Sequence, residues 1–577
     1  MKFPEKPYFQ FFSFLCVLCA SVVSGFALDR EAFSISAYNL DVQVEPEQHR
    51  LGARGKITLR NDTSEPQKMA VLQISSSLNW RSIKAGDKAV QFVTQPYTSD
   101  IDHTGSLSEA IVTLPQPILP KKTVDLDIAY EGTIVLDATR LTRIGTPDDA
   151  ARNTDWDRID ATFTAVRGVG YVAWYPVATD VANLSEGNSL FEVLARWKTR
   201  ETGATAHVKI SYSRNSTGPP PKMVINEPSC ILIYKEMGPA QEADADCTFR
   251  ALGTVVLSFV VADYGEVKRT SLQIFNLPTH AAAAEMYADE AEKMMPFITG
   301  WFGPPREKAQ TADLPDPNDT PFESRATLLL PLGDSNPRLA AAHQLTHASF
   351  SSVRLWIEEG LAHFAQALYL EQEKGRQAAL DYMALHRSAI GQSEPASTSP
   401  RSEDEVNRAL VNTINEELYR SKAMYVWWML RDMLGDAALK KALAAYRPEQ
   451  DKEPSYMPRL IASQTQRDLE WFFDDWVYRD RGLPDFKVIS ADARSTLTKS
   501  FITAITVENL GNAGAEVPVI VKFAGGEVTK RLEVPGKSKA TIRVETPKPP
   551  QEVVVNDGSV PENDTTNNTF KVEAPKA

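Results

Sequence analysis

The sequence predicts a multidomain α+β protein whose blocks follow in the order β, then α with some β, then β. Residues 28 to about 266 carry short runs in which apolar residues alternate with polar ones between turn residues. This period of two is typical of antiparallel strands. Near residue 280 the apolar spacing becomes helical, and alternation returns after Gly482-Leu483-Pro484.

The first 27 residues precede these blocks and have the pattern of a secretory signal peptide. Lys2 and Lys6 come before an apolar run from Phe9 to Val23, and Gly25-Phe26-Ala27 provides a small-x-small cleavage site. We therefore expect cleavage after Ala27 and export to the periplasm or the extracellular space. An uncleaved membrane anchor is the alternative, although the run is short for a span.

The N-terminal β-rich domain is predicted over residues 28–266. Runs such as Tyr38 to Val44 and His207 to Ser211 alternate in the way that antiparallel sheets require. Cys230 and Cys247 are the cysteines that remain after cleavage, and both flank strand-like sequence. An oxidising compartment permits a disulfide between them. The sequence leaves two alternatives open: a disulfide between these cysteines, or two free thiols.

The second domain is predicted over residues 267–484 and the third over 485–577. In the second we expect helices at 337–371, 372–392, 404–446 and 466–479, with a strand at 326–330 as the edge of a sheet. The short alternating runs of the third domain predict a β-sandwich of immunoglobulin-like kind.

Composition excludes several classes of protein. The chain has 577 residues with 62 Lys plus Arg against 75 Asp plus Glu, a net charge of −13. This acidic balance argues against binding nucleic acid, which takes a basic surface. The 43% hydrophobic and 24% charged residues are globular values. After the signal peptide no stretch approaches the roughly 20 apolar residues of a transmembrane helix, so we expect no span in the mature chain.

One segment carries a pattern typical of a metal site. His343 and His347 are four residues apart, which on a helix places both imidazoles on one face. Glu359, within Trp356-Ile357-Glu358-Glu359-Gly360, would add an oxygen from the next helix. Two histidines and one carboxylate bind a single Zn²⁺ and leave its fourth position open, as catalysis requires. The alternatives are two surface histidines and a structural zinc.

These residues resemble peptidase family M1, the aminopeptidase N-like zinc metallopeptidases. That family carries H-E-x-x-H on one helix and a third ligand in W-x-x-E-G-x-A on the next. Gly170 to Pro176 and Leu469 to Val477 are similar to further segments of the family, so the resemblance spans about residues 35 to 485. It implies a thermolysin-like, mostly helical catalytic domain at 267–484. It also implies zinc-dependent hydrolysis of peptide or protein substrates.

The sequence departs from the family at the general base. Gln344 stands where the family has the Glu that takes a proton from the zinc-bound water. Gln can hydrogen-bond this water but cannot accept its proton. General-base catalysis is worth about 10²–10⁴ in rate, so hydrolysis should be weakened. Glu358 and Glu323 are candidate substitutes, but Glu358 and Glu359 point about 100° apart on a helix.

Two further departures concern the substrate. The family's G-x-M-E-N segment, whose Glu holds a free amine, is absent, and Glu323 is its nearest equivalent or else a surface carboxylate. The family's transition-state tyrosine is displaced. If its segment is a loop, Tyr419 donates to the oxyanion; if it is helical, Arg420 stabilises the charge instead. His363 follows Glu359 by four residues and is a neighbour of the metal or a core histidine.

Two functions follow from the sequence. The first is an exported zinc metallopeptidase with His343, His347 and Glu359 as ligands. The second is a catalytically silent relative that serves as a peptide-binding or assembly protein. It keeps the fold, with or without the metal. Gln344 and the displaced tyrosine favour the second function, and the intact ligand set favours the first. The oligomeric state does not follow from the sequence.

Overall fold

The structure, a computed structural model, describes residues 28–573 except 187–188, 228, 238–239, 253–254, 334–337, 394–408, 414 and 416. The predicted signal peptide over residues 1–27 lies outside the described residues. Among the helices that are described, none combines the length and the apolar composition that crossing a bilayer requires.

The first part of the chain is built of strands, as predicted. In β1, Tyr38, Leu40 and Val42 are buried while Asn39 and Asp41 between them are exposed, which is the alternation of a half-buried strand. The strands are β1 Phe33–Glu45, β2 Arg50–Asn61, β3 Gln67–Ser75, β4 Leu78–Ala85, β5 Lys88–Ala89, β6 Gln91–Thr98, β7 Ser106–Ile118, β8 Thr123–Thr133, β9 Phe163–Val166, β10 Thr205–Asn215, β11 Lys222–Ile225, β12 Ile231–Met237, β13 Ala240–Phe249 and β14 Phe259–Ala262.

These strands form three sheets. The largest has the order β12-β13-β10-β1-β2-β8-β4-β5, and the smaller ones have the orders β3-β7-β6 and β11-β14-β9. The pairing is antiparallel except between β1 and β10, which run parallel. Antiparallel sheets throughout were expected, and this one pair differs. A parallel pair needs a long crossover connection, which the elements between β1 and β10 provide.

Three α-helices interrupt this part of the chain, and the sequence analysis did not predict them. They are α1 Thr139–Arg143, α2 Asp148–Thr154 and α3 Ser189–Glu201, beside a 3₁₀ helix at Pro46–Gln48. In α3, Leu190, Val193 and Trp197 are buried at intervals of three and four residues. This spacing gives the helix one apolar face against the sheets.

A disulfide joins Cys230 to Cys247. Cys230 precedes β12, and Cys247 lies in the neighbouring strand β13. Of the two alternatives left open by the sequence, the structure therefore has the disulfide.

The second part of the chain begins with a five-stranded sheet of order β15-β16-β17-β19-β18. Its strands are β15 Gly265–Lys268, β16 Leu272–Asn276, β17 Ala309–Asp313, β18 Phe322–Ser324 and β19 Thr327–Leu330. The strand predicted at 326–330 is confirmed as β19, but its prediction as the edge is wrong. Antiparallel β18 pairs beyond it, and three residues are too few to show alternation in a sequence.

Helices pack on this sheet. They are α4 Ala281–Phe302, α5 Arg338–Ser349, α6 Leu355–Lys374, α7 Arg376–Ala384, α8 Arg387–Ser393, α9 Ala423–Leu434, α10 Asp436–Ala445, α11 Tyr456–Ala462 and α12 Glu470–Phe473. Shorter helical turns lie at Pro278–His280, Glu417–Lys422, Pro448–Gln450 and Asp474–Tyr478, the second and fourth of these being π-helices. The predicted helical character is confirmed where these residues are described, but the helices are shorter than predicted. Gly375, with φ of 86°, separates α6 from α7.

The third part consists of two antiparallel sheets with orders β20-β21-β24 and β23-β22-β25-β26. The strands are β20 Phe486–Ser495, β21 Phe501–Asn509, β22 Ala515–Phe523, β23 Gly526–Val534, β24 Lys539–Thr546, β25 Pro550–Val555 and β26 Thr569–Lys571. Their buried valines share one core with the helices of the second part. Trp476 donates from Nε1 to Gly514 O at 2.7 Å and so joins the two parts.

Candidate metal centre

Two histidines meet on one face of α5. His343 and His347 are both almost fully buried, and their Nε2 atoms are 3.1 Å apart. The spacing of four residues produces this meeting because one helical turn has 3.6 residues. The sequence prediction that both imidazoles share a face is therefore confirmed.

Two carboxylates complete the centre. Glu359 comes from α6, and its oxygens lie 3.7 Å from His343 Nε2 and 3.9 Å from His347 Nε2. Glu323 comes from the edge strand β18, with Oε2 at 3.0 Å from His343 Nε2 and Oε1 at 3.7 Å from His347 Nε2. Glu323 Oε1 is buried and has no hydrogen-bond partner among the described residues. Glu323 is therefore a partly buried carboxylate, 23% exposed, that contacts the ligand histidines, and its binding of a substrate amine stays a prediction.

The donor atoms fit a divalent metal ion. In a tetrahedral zinc site two nitrogens lie about 3.3 Å apart, since each is about 2.0–2.1 Å from the ion. The two histidine nitrogens are 3.1 Å apart, close to this separation. Imidazole and carboxylate are ligands that zinc accepts, and the donor atoms of Glu323, His343 and His347 lie within 4.8 Å of one another. The residues can therefore hold a metal.

The electrostatics of the centre also favour a cation. Burial disfavours a charged His347, but the carboxylates of Glu358, Glu323 and Glu359 outweigh burial and raise its pKa to about 10. Burial opposes the charge of Glu359 as well, yet Arg420 and the histidines lower its pKa well below the usual value. The centre thus attracts a proton strongly, and a metal ion would compete for the same nitrogen.

Glu358 supports the histidine from behind. Its Oε1 lies 3.3 Å from His347 Nδ1, an ion-pair distance without hydrogen-bond alignment, and its other oxygen accepts from the Ser352 N–H. Carboxylates on the far nitrogen of a metal-bound histidine orient the ring. Because Glu358 lies on the Nδ1 side, it is on the opposite side of the ring from the donor cluster.

Gln344 points away from the donors. It is fully buried, and its Oε1 accepts from the Tyr287 hydroxyl at 2.9 Å and the Thr311 hydroxyl at 3.1 Å. Its Nε2 donates to Gln310 O at 2.6 Å and Ala326 O at 3.0 Å. These four bonds fill the capacity of an amide side chain. The catalytic role of Gln344 stays a prediction, while the contacts tie α5 to α4 and the sheet.

Tyr419 and Arg420 lie on the π-helix Glu417–Lys422, so the segment is helical and not a loop. Arg420 donates from Nε to Glu359 Oε2 at 3.1 Å. Burial and the nearby carboxylates of Glu359 and Glu417 raise the pKa of the Tyr419 phenol. Arg420 therefore contacts the centre directly, while Tyr419 lies close enough to Glu359 for that carboxylate to raise the pKa of its phenol.

His363 also belongs to the centre, although the sequence left its role open. Its ring is 4.9 Å from that of His343, and its donor atom lies within 4.8 Å of those of His343 and Glu359. Its Nδ1 is buried without a hydrogen-bond partner among the described residues. Burial, His343 and Arg420 lower its pKa well below the usual value. His363 is thus a neutral neighbour of the ligands rather than a satisfied core histidine, and its spacing of four from Glu359 was the signal.

Close helix packing brings these side chains together. A Cβ added to Gly360, the residue after Glu359, would lie 2.7 Å from the Cβ of Ala423 on α9. Real Cβ atoms do not approach this closely, so only glycine lets α6 and α9 pack at this distance. Glu359 and the adjoining π-helix therefore meet because residue 360 has no side chain.

The comparisons with known proteins agree with this architecture. A crystal structure of a mutant M1 zinc metallopeptidase from Deinococcus radiodurans matches with a TM-score of 0.50 and 18% identity, over 80% of this chain and 97% of that chain. Another M1 zinc metallopeptidase structure from that organism matches with a TM-score of 0.48 and 17% identity, over 76% and 92%. No family model matches the sequence, and no curated protein matches it either.

The chain has the multidomain α+β fold of the M1 zinc metallopeptidases. The resemblance inferred from the sequence is thereby confirmed for the fold. At 18% identity the likeness does not extend to activity.

Proposed function

We propose that this protein is an exported zinc metallopeptidase that hydrolyses peptide bonds in peptide or protein substrates. One observation carries the proposal: His343, His347, Glu359 and Glu323 converge on one point in a fold shared with zinc metallopeptidases. One Zn²⁺ ion is proposed, held by His343, His347 and Glu359. The C-terminal pair of sheets is proposed to be immunoglobulin-like, with domain boundaries at 28–266, 267–484 and 485–577.

Zinc supplies Lewis-acid chemistry, since it activates water as a nucleophile and polarises a carbonyl. The protein has to supply the proton acceptor, and Gln344 cannot, because an amide accepts no proton. Glu323 is proposed for this role in its place. Its Oε1 is buried beside the ligand nitrogens and unpartnered among the described residues, so it is available to accept a proton at this atom.

Tyr419 and Arg420 are proposed to act on the substrate. Because the pKa of Tyr419 is raised, its phenol stays protonated at neutral pH and can donate a hydrogen bond. Donors placed before the reaction stabilise the charge that develops on a carbonyl oxygen. Arg420 adds a permanent positive charge next to Glu359.

The test is to measure zinc content and turnover of a mixed peptide panel for the wild type and for Glu323→Gln. We expect one zinc per chain in both proteins, with turnover about 10²–10⁴-fold lower in the variant because the proton acceptor is lost. Glu266→Gln is the matched control. It removes a carboxylate from β15, the other edge strand of the same sheet, and should leave turnover unchanged.

Other outcomes would contradict the proposal. Full turnover in Glu323→Gln would show that another group accepts the proton. Stoichiometric zinc with no turnover in the wild type would support the silent relative that binds peptides or assembles with partners. Failure to bind zinc at neutral pH would exclude the metal assignment altogether.

A further inference from the structure

The helices of the metal centre carry a second group of converging donors. His343 of α5, with Glu359 and His363 of α6, offers ligand atoms that all lie within 4.8 Å of one another. His363 follows Glu359 by four residues, which places both side chains on one face of α6. The ring of His363 lies edge-on to that of His343, with 4.9 Å between the ring centroids. This group repeats the composition of the first ligand set, two imidazoles and one carboxylate.

The second group overlaps the first without coinciding with it. The ligand set proposed above consists of His343, His347 and Glu359, and the second group keeps His343 and Glu359 but has His363 in place of His347. Among the described residues, no group of such closely spaced donors contains both His347 and His363. His347 is almost fully buried, whereas His363 is partly exposed. The two groups therefore define neighbouring positions for an ion, and the second is the one nearer to solvent.

The donors of the second group can bind a cation. His363 Nδ1 is buried without a hydrogen-bond partner among the described residues, and buried nitrogens normally have one. Glu359 Oε2 accepts from Arg420 Nε at 3.1 Å, but a carboxylate oxygen has about two acceptor sites, so one remains for an ion. The charge of Arg420 opposes a cation. Two carboxylates, those of Glu359 and Glu323, lie 3.7 and 3.0 Å from His343 Nε2 and outweigh it.

We propose that His343, Glu359 and His363 form a second metal-binding position, which a divalent transition-metal ion occupies in place of the one that includes His347. Imidazole and carboxylate are ligands that zinc and related metals accept. The proposal deepens the proposed function and rests on it, because it takes His343 and Glu359 as ligands. An ion passes between the positions by exchanging one imidazole for the other. Loss of His347 therefore leaves a complete set of three protein ligands.

Removal of His347 provides the test. Zinc content, and zinc affinity by competition with a chelating dye, are measured for His347→Phe and for the same protein with His363→Phe added. Phenylalanine keeps a ring of similar size and offers no donor atom. We expect His347→Phe to retain about one zinc per chain, with an affinity within about a hundredfold of the wild type. The double variant should bind at least about a hundredfold more weakly again, since even outer partners of a ligand are worth about 10–100-fold.

A second double variant is the matched control. It combines His347→Phe with His386→Phe, which removes the next histidine along. The ring of His386 lies 5.6 Å from that of His363, and its Nδ1 is hydrogen-bonded to Ser421 Oγ at 2.9 Å. This protein should bind zinc as His347→Phe does. X-ray absorption of the zinc-loaded proteins counts the bound imidazoles directly, and we expect about two in His347→Phe, from His343 and His363.

The outcomes separate this inference from the proposed function. If folded His347→Phe loses zinc as completely as the double variant with His363→Phe, the second position is overturned, while the zinc site of the wild type stands. Circular dichroism checks folding, and His347→Leu takes the place of His347→Phe if the larger ring disrupts α5. A wild type without zinc would overturn the inference and the proposed function together. If His347→Phe keeps its zinc but the wild type hydrolyses no peptide, the proposed function fails and the second position stands.

Discussion

Two buried clusters of charged side chains in this molecule differ in whether their positive and negative groups pair with one another. The paired cluster consists of Arg140 with Asp155 and Arg167 with Asp157. Arg140 binds both oxygens of Asp155, at 2.7 and 2.6 Å, and Arg167 binds Asp157 through Nε and Nη2 at 2.9 and 2.7 Å. All four side chains are at most 3% exposed, and two positive charges face two negative ones.

The metal-ligand cluster, made of His343, His347, Glu323 and Glu359 with Glu358 behind His347, is less buried, with side chains up to 23% exposed, and is not balanced internally. Its histidine nitrogens face one another, and one oxygen of Glu323 has no partner among the described residues. Buried charges normally persist only when they are paired or bind a metal. A buried cluster whose positive and negative side chains pair with one another has a structural role. A buried cluster whose donor atoms converge without pairing indicates a site that binds a ligand. Four substitutions test this distinction.

The largest expected effect is on the metal-ligand cluster. His343→Ala should lower the zinc affinity by more than about a hundredfold, because even outer partners of a ligand are worth 10–100-fold. Metal content and competition with a chelating dye measure this loss. The folded state should persist, with an unchanged circular dichroism spectrum. His207→Ala, at a partly exposed position of β10 that pairs with Asp246, is the control and should bind zinc as the wild type does. Equal loss in both variants would contradict the assignment.

The paired cluster should respond in the opposite way. Arg140→Met leaves Asp155 buried without its partner, so we expect the free energy of unfolding to fall by about 3–5 kcal/mol. Urea denaturation measures it, and the zinc affinity of the folded protein should stay within twofold. Arg152→Met removes a pair on α2 that is more than half exposed and should cost under about 1 kcal/mol. A stability loss no larger than that control would show that the pairing contributes little.

Gln344→Glu tests a fully buried polar side chain that follows His343 and has all of its hydrogen bonds made. The carboxylate cannot donate to both Gln310 O and Ala326 O, so at least one of these carbonyls loses a hydrogen bond, although Ala326 O still accepts from the Gln310 N–H. We expect a stability loss of about 1–3 kcal/mol and no gain in turnover. Thermal unfolding and the peptide panel measure these quantities. Gln377→Glu on α7 is the exposed control. A gain in turnover would return Gln344 to the catalytic role predicted from the sequence.

The smallest effect on zinc affinity is expected from changing Glu358, which lies behind His347. Glu358→Gln keeps the shape of the side chain but removes the charge 3.3 Å from Nδ1. Zinc affinity should fall by about tenfold, since outer-sphere carboxylates strengthen a histidine ligand. Chelator competition resolves a change of this size, with Glu373→Gln on the exposed side of α6 as control. An affinity equal to the wild type would mean that Glu358 only holds the loop at Ser352.

The parts of this centre that depend on local geometry could be predicted from the sequence. The meeting of His343 and His347 follows from helical spacing alone. Glu359 was found through its resemblance to the W-x-x-E-G motif. His363 carried the same spacing signal relative to Glu359, but one histidine on a helix face does not distinguish a core position from a metal site.

The remaining parts depend on contacts between distant segments. Glu323 reaches the centre because β18 pairs outside β19, and a three-residue strand has no periodicity to read. Helix α3 interrupts a region of alternating strands, and its buried apolar residues at intervals of three and four are a weak signal beside that pattern. The direction of Gln344 is set by α4 and β17, neither of which is near it in the sequence.

The hydrogen bonds of Gln344 have a consequence for the kinetics of metal uptake. They connect α5 to α4, to β17 and to Ala326, and so fix the rotation of α5 about its own axis. The neighbouring imidazoles are held in their converging orientation before any ion arrives. Little conformational entropy remains to be lost on binding. Loading should therefore be limited by the release of a proton from His347, whose pKa is raised, and of water from the ion, and not by a rearrangement of the protein.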